Sequence, residues 1–155
     1  MQHPLTRQHT RNQRVRAIVI TDDQRVLFIK RIKPNKTQPY WVAPGGGVEE
    51  DDTDILQALH RELYEELGAE VEVIQHGFVL RHEKANKHLE EHFYVCRLVR
   101  YDLSQRHGPE FDDPTRGEYI PHAIELTEDA ITSINIKTTE LQDWLINNLP
   151  TLKAL

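Results

Sequence analysis

The chain has 155 residues, a length typical of one domain. Hydrophobic residues make up 38% and charged residues 28%, a composition that excludes a wholly disordered chain. No apolar run approaches the roughly 18 residues of a membrane span, and the N-terminus lacks the apolar core of a secretory signal. The lack of an apolar span leads us to expect no membrane partner. Because the single cysteine, Cys96, allows no internal disulfide, we expect a cytoplasmic protein.

Acidic residues are concentrated in one window of a chain whose net charge is −6. Between Gly47 and Glu72 stand ten Asp and Glu residues and one basic residue, Arg61. The overall acidity argues against non-specific binding of nucleic acid, and we expect no specific nucleic-acid partner. The local excess of carboxylates predicts instead that this window binds a cation.

The first predicted elements are a polar tail and a β-hairpin. Residues 1–13 show no hydrophobic periodicity and predict a flexible N-terminal tail. Two β-rich runs, at residues 14–21 and 25–31, are separated by turn-forming residues. A short apolar strand at residues 40–42 then leads into the glycine triplet at residues 45–47, which we predict to be a turn.

Helix and strand patterns alternate along the rest of the chain. Leucines and an isoleucine at a spacing of four predict a helix over residues 53–67, which Gly68 ends. The remaining predicted elements are strands at residues 71–81, 92–99 and 119–126, a polar loop at 102–117, and a final helix that Thr138 or Thr139 caps. This interleaving predicts an α/β (α+β) fold class with a mixed β-sheet, in a single domain over residues 14–155.

Two carboxylates lie on or beside the buried face of the predicted helix. At about 100° per residue, Glu66 falls inside an apolar arc and Glu62 falls at its edge, one turn earlier. An unpaired ionised carboxylate at such a position is costly, or it takes up a proton. On this wheel Arg61 reaches Glu65 but points away from Glu62 and Glu66. We therefore predict that a divalent cation neutralises the pair. The arc consists of Ile55, Leu56, Leu59, Leu63 and Leu67.

The predicted ligands are all oxygen atoms, which favours Mg²⁺, with Mn²⁺ as the alternative. The glycine triplet at residues 45–47 can offer backbone carbonyls to a metal or N–H groups to a phosphate. A hard metal beside a glycine loop predicts chemistry on a phosphate anhydride. Two plainer interpretations, a solvated acidic helix face and a simple glycine turn, explain each feature alone but not why the two adjoin.

The segment from Gly47 to Ala69 resembles the Nudix box, the signature motif of the Nudix hydrolase family. Gly47 begins the motif, and its core matches at Arg61, Glu62, Leu63, Glu65, Glu66 and Gly68. Two positions depart from the pattern: Thr53 stands where the first glutamate is expected, and Ala69 stands at the closing hydrophobic position. Asp52 could replace that glutamate if the preceding loop is one residue shorter. The resemblance implies a mixed β-sheet sandwiched between helices.

The resemblance also implies a Mg²⁺-dependent hydrolase that attacks a nucleoside diphosphate linked to another group, a small-molecule substrate. Glu62 and Glu66 would be metal ligands, joined by a carbonyl near Gly46 and by Glu65 in some members. Arg61 would hold Glu65 in place. Metal-bound water would attack phosphorus, and a carboxylate would accept its proton. The candidates for this base are Glu62 itself and Glu118. Glu110 and Asp112 are weaker candidates, and a plain surface acid is the alternative for each residue of the later loop.

Substrate binding is predicted at the glycine triplet and at two arginines. Gly45, Gly46 and Gly47 would contact the phosphates through their backbone. Arg31, at a strand end, and Arg81 are the candidates for further anion binding; a solvated basic side chain is the alternative for each.

Two other functions stay open at this point. Thr53 in place of glutamate suits a non-catalytic Nudix-like module that binds a nucleotide for regulation or assembly. The family also contains isopentenyl diphosphate isomerases, although the complete core of the motif favours hydrolysis. The sequence leaves open the identity of the nucleotide and the oligomeric state, a homodimer included.

Overall fold

The computed structural model describes residues 12–35, 38–84 and 86–155. Most of the predicted N-terminal tail, residues 1–11, lies outside the described residues. Gln13, which the sequence places in the tail, belongs instead to the first strand. The strands are β1 (Gln13–Ile20), β2 (Arg25–Ile32), β3 (Tyr40–Val42), β4 (Gly45–Gly47), β5 (Ala69–Lys84), β6 (Lys87–Tyr101) and β7 (Glu118–Glu125).

The helices are one long segment near the middle of the chain and several short ones after it. In chain order they are α1 (Ile55–Leu67), α2 (Pro109–Asp112), α3 (Glu128–Thr132), α4 (Thr139–Asn147) and α5 (Leu149–Lys153), with 3-10 turns at Leu103–Gln105 and Pro114–Arg116. The sequence predicts α1 and α4 but misses α3. The region predicted as a polar loop, residues 102–117, contains the two 3-10 turns and α2.

The chain forms two compact units, and the first contains residues 12–18 and 44–106. Its strands follow the order β1, β6, β5, with β5 and β6 in a long antiparallel hairpin. The glycine triplet is not the predicted turn. It is strand β4, which pairs antiparallel with β1 and sets Gly45 opposite Arg16 and Gly46 opposite Val15. This pairing fixes the glycine backbone to a buried strand.

Helix α1 begins at Ile55 rather than at residue 53, because Asp54 caps it. The Asp54 side chain accepts the backbone N–H of Gln57, at 2.8 Å. At the other end Gly68 adopts the left-handed conformation, with φ of 60°, and its N–H reaches the carbonyls of Leu63 and Tyr64. The predicted C-terminal stop is therefore confirmed.

The apolar face of α1 packs inside the first unit. Leu59, Leu63 and Leu67 are completely buried, as the wheel predicts. Glu66 is also buried on this helix, with 8% of its surface exposed. The helix contacts β4 and β5. The burial of this face therefore holds the acidic helix against the glycine strand.

The second unit contains residues 19–43 and 107–155. Its strand β2 pairs antiparallel with β3 and, over its whole length, with β7. Pro121 lies opposite Ile29 in β7, the strand that the sequence predicts over residues 119–126. Helices α3, α4 and α5 bury Ile131, Leu145 and Leu152.

The predicted α/β (α+β) class with a mixed sheet is confirmed. Antiparallel ladders dominate, while Trp41 and Ile136 form a parallel bridge. Within the described ranges, no helix is both long enough and apolar enough to cross a membrane.

Replacing the glycine that ends α1 should destabilise the fold. A Cβ at Gly68 would lie 1.9 Å from the Asp102 carbonyl oxygen, and the residue has a left-handed φ. We expect G68A to lower the free energy of unfolding by about 2 kcal/mol or more, measured by urea denaturation. G47A is the matched control, because a Cβ there meets nothing within 4 Å. Equal stability of the two variants would contradict this account of the helix end.

Candidate active site

The first unit brings the glycine strand and the acidic helix into direct contact. Gly45 donates its backbone N–H to Glu66 Oε1, at 2.7 Å. A Cβ at Gly46 would lie 2.6 Å from Glu62 Cδ and 2.7 Å from each oxygen of that carboxylate. Any larger residue at position 46 would require the Glu62 carboxylate to move from this place. The residues predicted to share a site, 45–47, 61, 62, 65 and 66, are therefore neighbours.

Glu66 has a hydrogen-bond partner that the helical wheel does not show. Its carboxylate is buried but accepts the N–H of Gly45 from the facing strand. The wheel considers the helix alone, so it cannot include a donor from another element. A carboxylate has about four acceptor positions, so the bond from Gly45 does not by itself exclude a metal-ligand role for Glu66.

Arg61 lies at the centre of the acidic cluster, and the prediction that it points away from Glu62 is wrong. Its Nη1 lies 3.1 Å from Glu62 Oε1 and 3.3 Å from Glu65 Oε2. The contact with Glu65 is the predicted one. Its Nη2 donates to the Gly47 carbonyl at 3.1 Å. A long, forked side chain reaches both sides of the helix, which a projection of Cβ directions does not represent.

Asp52 is the strongest partner of Arg61. The Nε and Nη2 groups of Arg61 donate to the two oxygens of Asp52, each at 2.9 Å. Asp52 Oδ2 also accepts the N–H of Glu49 at 2.7 Å, and only 7% of the residue is exposed. Burial works to raise the pKa of Asp52, but the bonds from Arg61 and Glu49 and the charge of Arg61 outweigh it and hold the pKa below its usual value.

Thr53 stands at the position where the motif has its first glutamate, and its backbone bonds to the first turn of α1. Its N–H donates to the Gln57 side chain. The adjacent Asp52 supplies the carboxylate that braces Arg61. The structure thus contains an acid beside the substituted position, bonded to the arginine of the motif.

Glu62, beside β4, is a carboxylate whose ionisation is disfavoured. Burial raises its pKa above the usual value, the charge of Arg61 opposes this, and the charges of Glu65 and Glu49 add to it. A carboxylate with a raised pKa binds a proton more readily. It also gains more from a nearby cation.

The donor chemistry of this cluster fits a hard divalent cation. Glu62 and Glu66 offer carboxylate oxygens one helical turn apart, and the glycine at position 46 leaves the backbone open beside them. Within the part of the chain that the structure describes, no group of three or more His, Cys, Asp or Glu side chains is arranged to hold a metal. A Mg²⁺ ion fits such a sparse set, because it keeps several waters and takes one or two carboxylates.

The other predicted site residues are Arg81, Arg31 and Glu118, which differ in their contacts and in their exposure. Arg81, in β5, is exposed and pairs with Glu90 at 3.1 Å. Arg31, in the second unit, is buried, so a solvated side chain is the wrong alternative for it. Its Nη groups donate to the Arg116 carbonyl at 3.2 and 2.7 Å, and its guanidinium lies 3.6 Å from the centre of the Tyr119 ring. Glu118, also in the second unit, is exposed at the first residue of β7.

Sequence reasoning missed two residues that contact the glycine strand or its support. Arg16, in β1, donates to the Gly45 carbonyl and pairs with Glu91 in β6. The signal for Glu91 is the strand alternation. It is in phase with the buried Phe93 and Val95, so a carboxylate on that face needs a partner.

Comparison with known proteins decides the family. The family model described as NUDIX domain matches residues 10–134. This chain belongs to the Nudix hydrolase family. As a Nudix hydrolase it acts on phosphoric anhydrides of nucleoside diphosphate derivatives, and the resemblance read from residues 47–69 is confirmed.

Relatives of this Nudix hydrolase agree in sequence and in fold. It is 30% identical over 96 residues to an 8-oxo-dGTP diphosphatase from Proteus vulgaris, covering 61% of this chain and 84% of the relative. A NUDIX hydrolase from Nitrosomonas europaea superposes with a TM-score of 0.68 at 19% identity, over 92% and 90% of the two chains. A MutT NUDIX hydrolase from Burkholderia pseudomallei gives 0.59 at 25% identity, over 84% and 94%.

The bond between Asp52 and Arg61 should stabilise the fold in a pH-dependent way. Because the folded-state pKa of Asp52 is lowered, its contribution is complete above the unfolded value of about 4 and is lost as the pH falls through the folded value. We expect D52N to lower the free energy of unfolding by about 2 kcal/mol at pH 7, and by less at pH 3. Urea denaturation at both pH values measures this.

The neighbouring D51N variant is the control for that experiment. Asp51 is exposed, so its replacement should leave the free energy of unfolding within about 0.5 kcal/mol of the wild type at either pH. A loss in D52N that is the same at pH 3 and pH 7 would show that the carboxylate charge is not its cause.

Proposed function

We propose that this Nudix hydrolase is a Mg²⁺-dependent pyrophosphohydrolase that cleaves a nucleoside diphosphate linked to another group. The observation that carries the proposal is the contact between the glycine strand and the acidic helix. The N–H of Gly45 holds Glu66, and Gly46 leaves room for Glu62. This contact gathers backbone and carboxylate oxygens at one place, as a hard cation requires, and such a cation would in turn bind the phosphate anhydride.

In the proposal Glu62 and Glu66 hold the metal, with Glu65 and the Gly46 carbonyl as further ligands. When bound, Mg²⁺ would neutralise anhydride oxygens and lower the pKa of a water molecule. Arg61 keeps Glu62 and Glu65 at fixed distances through its 3.1 and 3.3 Å contacts, and Asp52 holds Arg61. The carboxylates are thereby positioned before substrate arrives, which reduces the reorganisation needed during the reaction.

The proton of the attacking water must go to a base, and we assign this role to Glu62. An oxygen of this carboxylate that does not bind the metal would accept the proton. Glu118, in the second unit, stays a prediction from the sequence. The backbone of Gly46 and Gly47 would bind phosphate oxygens, whereas the N–H of Gly45 is already bonded to Glu66. Arg81 is proposed as a further anion contact, and Arg31 stays a prediction from the sequence.

The substrate is proposed to be a small nucleotide derivative rather than a nucleic acid. The Proteus vulgaris relative carries the name 8-oxo-dGTP diphosphatase, which makes an oxidised purine nucleoside triphosphate a sensible first substrate. We further propose that residues 14–155 act as one domain and that the protein works in the cytoplasm, where its one cysteine, the buried Cys96, stays reduced.

Replacing Glu66 with glutamine tests the proposal. We expect E66Q to lower kcat for Mg²⁺-dependent release of pyrophosphate or phosphate by about 10²-fold or more, because the amide is a poorer ligand for a hard cation. The assay uses a panel of nucleoside triphosphates and nucleoside diphosphate derivatives that includes 8-oxo-dGTP. Chelation with EDTA should stop the wild-type reaction, and added Mg²⁺ should restore it.

The matched control is E72Q, since Glu72 is exposed on β5 and its contact with Arg97 is 3.9 Å long. It should hydrolyse at the wild-type rate. Hydrolysis that EDTA does not affect, or an unchanged rate in E66Q, would refute the proposed metal site. Nucleotide binding by calorimetry without turnover on any member of the panel would favour the non-catalytic module that Thr53 suggests.

A further inference from the structure

A partly buried ion pair connects β6 to β1, the strand that pairs with the glycine strand. Glu91 lies in β6 with only 8% of its surface exposed. Its Oε2 accepts the Nε–H of Arg16 at 2.8 Å, while its Oε1 lies 3.4 Å from His82 Nε2. A buried carboxylate needs a partner, so this pairing alone would be explained by stability. Arg16 also makes a second contact, with the glycine strand, which the stability of the ion pair does not explain.

Arg16 uses a different nitrogen to hold the glycine strand. Its Nη1 donates to the carbonyl oxygen of Gly45 at 3.4 Å. The guanidinium is a rigid planar fork, so fixing Nε on Glu91 also fixes the direction of Nη1. By contrast, the arginine ion pairs between β5 and β6, such as Arg100 with Glu70, are exposed and link only those two strands.

Gly45 is therefore held on both sides of its Cα. Its N–H, in the peptide unit before it, donates to Glu66, and its carbonyl, in the peptide unit after it, accepts from Arg16. Together these bonds restrain the φ and ψ angles of Gly45. The backbone has little room to shift, because a Cβ here would lie 2.0 Å from the Val15 carbonyl oxygen.

The peptide unit that Arg16 holds is also the one that leads into Gly46. Gly46 is the residue whose missing Cβ makes room for the Glu62 carboxylate. A rotation of this peptide unit would move the Gly46 backbone relative to Glu62 and weaken the bond from Gly45 to Glu66. The two carboxylates thus depend on the same short piece of backbone.

We propose that Arg16 is a positioning residue of the active site, held by Glu91, which sets the Gly45 backbone so that Glu62 and Glu66 are correctly placed for the metal and the substrate. This inference rests on the proposed hydrolase function for its effect on catalysis. Its effect on Gly45 itself is independent of any reaction. Residues that orient the groups around a metal typically change metal affinity or activity by about 10- to 100-fold when they are replaced.

The test is R16K, which keeps the positive charge but cannot reach Glu91 and the Gly45 carbonyl with one rigid fork. We expect the hydrogen exchange of the Gly45 amide, followed by NMR, to become about tenfold faster. The Gly68 amide, which bonds to the Tyr64 carbonyl at 2.8 Å, should exchange at its wild-type rate. Binding of Mn²⁺ alone, measured by calorimetry, should weaken about tenfold, and kcat should fall about tenfold with little change in KM.

R100K is the matched control, because it makes the same substitution in the exposed 2.7 Å pair with Glu70. It should leave the Gly45 amide, Mn²⁺ binding and kcat unchanged. E91Q is the second variant in case R16K does not fold. Its amide oxygen still accepts from Arg16, so we expect changes of the same direction but smaller size than those of R16K.

The possible results separate this inference from the proposed function. Wild-type Gly45 exchange in a folded R16K or E91Q, or equal effects in R16K and R100K, would overturn the positioning role. If the wild type hydrolyses nucleotides and R16K keeps its kcat, only the inference fails. If the wild type shows no hydrolysis, the proposed function fails, while faster Gly45 exchange in R16K would still support the role of Arg16 in the backbone.

Discussion

The hydrogen bond from the Gly45 N–H to Glu66 is the interaction on which the candidate active site depends. It joins β4 to α1, two elements that are separate in the chain, and it satisfies a carboxylate buried on the apolar face of the helix. The helix is held there by its leucines, which are buried completely. Hydrophobic packing thus holds the helix against the strand, and one hydrogen bond positions the Glu66 carboxylate beside the glycine backbone.

Charge in this region is arranged around a single arginine. Arg61 meets Asp52, Glu62, Glu65 and the Gly47 carbonyl, and so balances part of an acidic cluster without removing it. Its firmest bonds go to Asp52, and its contacts with Glu62 and Glu65 are longer, at 3.1 and 3.3 Å. The residue that braces Arg61 is therefore different from the residues proposed to bind the metal.

The NUDIX domain model matches residues 10–134, and two features of this chain need an explanation from its own structure. At the position of the first glutamate stands Thr53, next to the Asp52 carboxylate that holds Arg61. On the other side of the glycine strand, Arg16 and Glu91 supply a second brace. The glycine backbone is therefore restrained from β1 as well as from α1, which explains how three glycines can form an ordered strand.

The sequence alone determined the class of fold, the acidic helix and the family, because hydrophobic periodicity and motif spacing are local properties of the chain. It placed Glu66 on the buried face and Gly68 at the helix end, both as found. Only the tertiary structure decided that residues 45–47 form a strand, that Arg61 reaches Glu62, and that Glu66 is bonded to Gly45. Those facts depend on which elements pack together, and a hydrogen bond between distant residues leaves no periodic signal in the sequence.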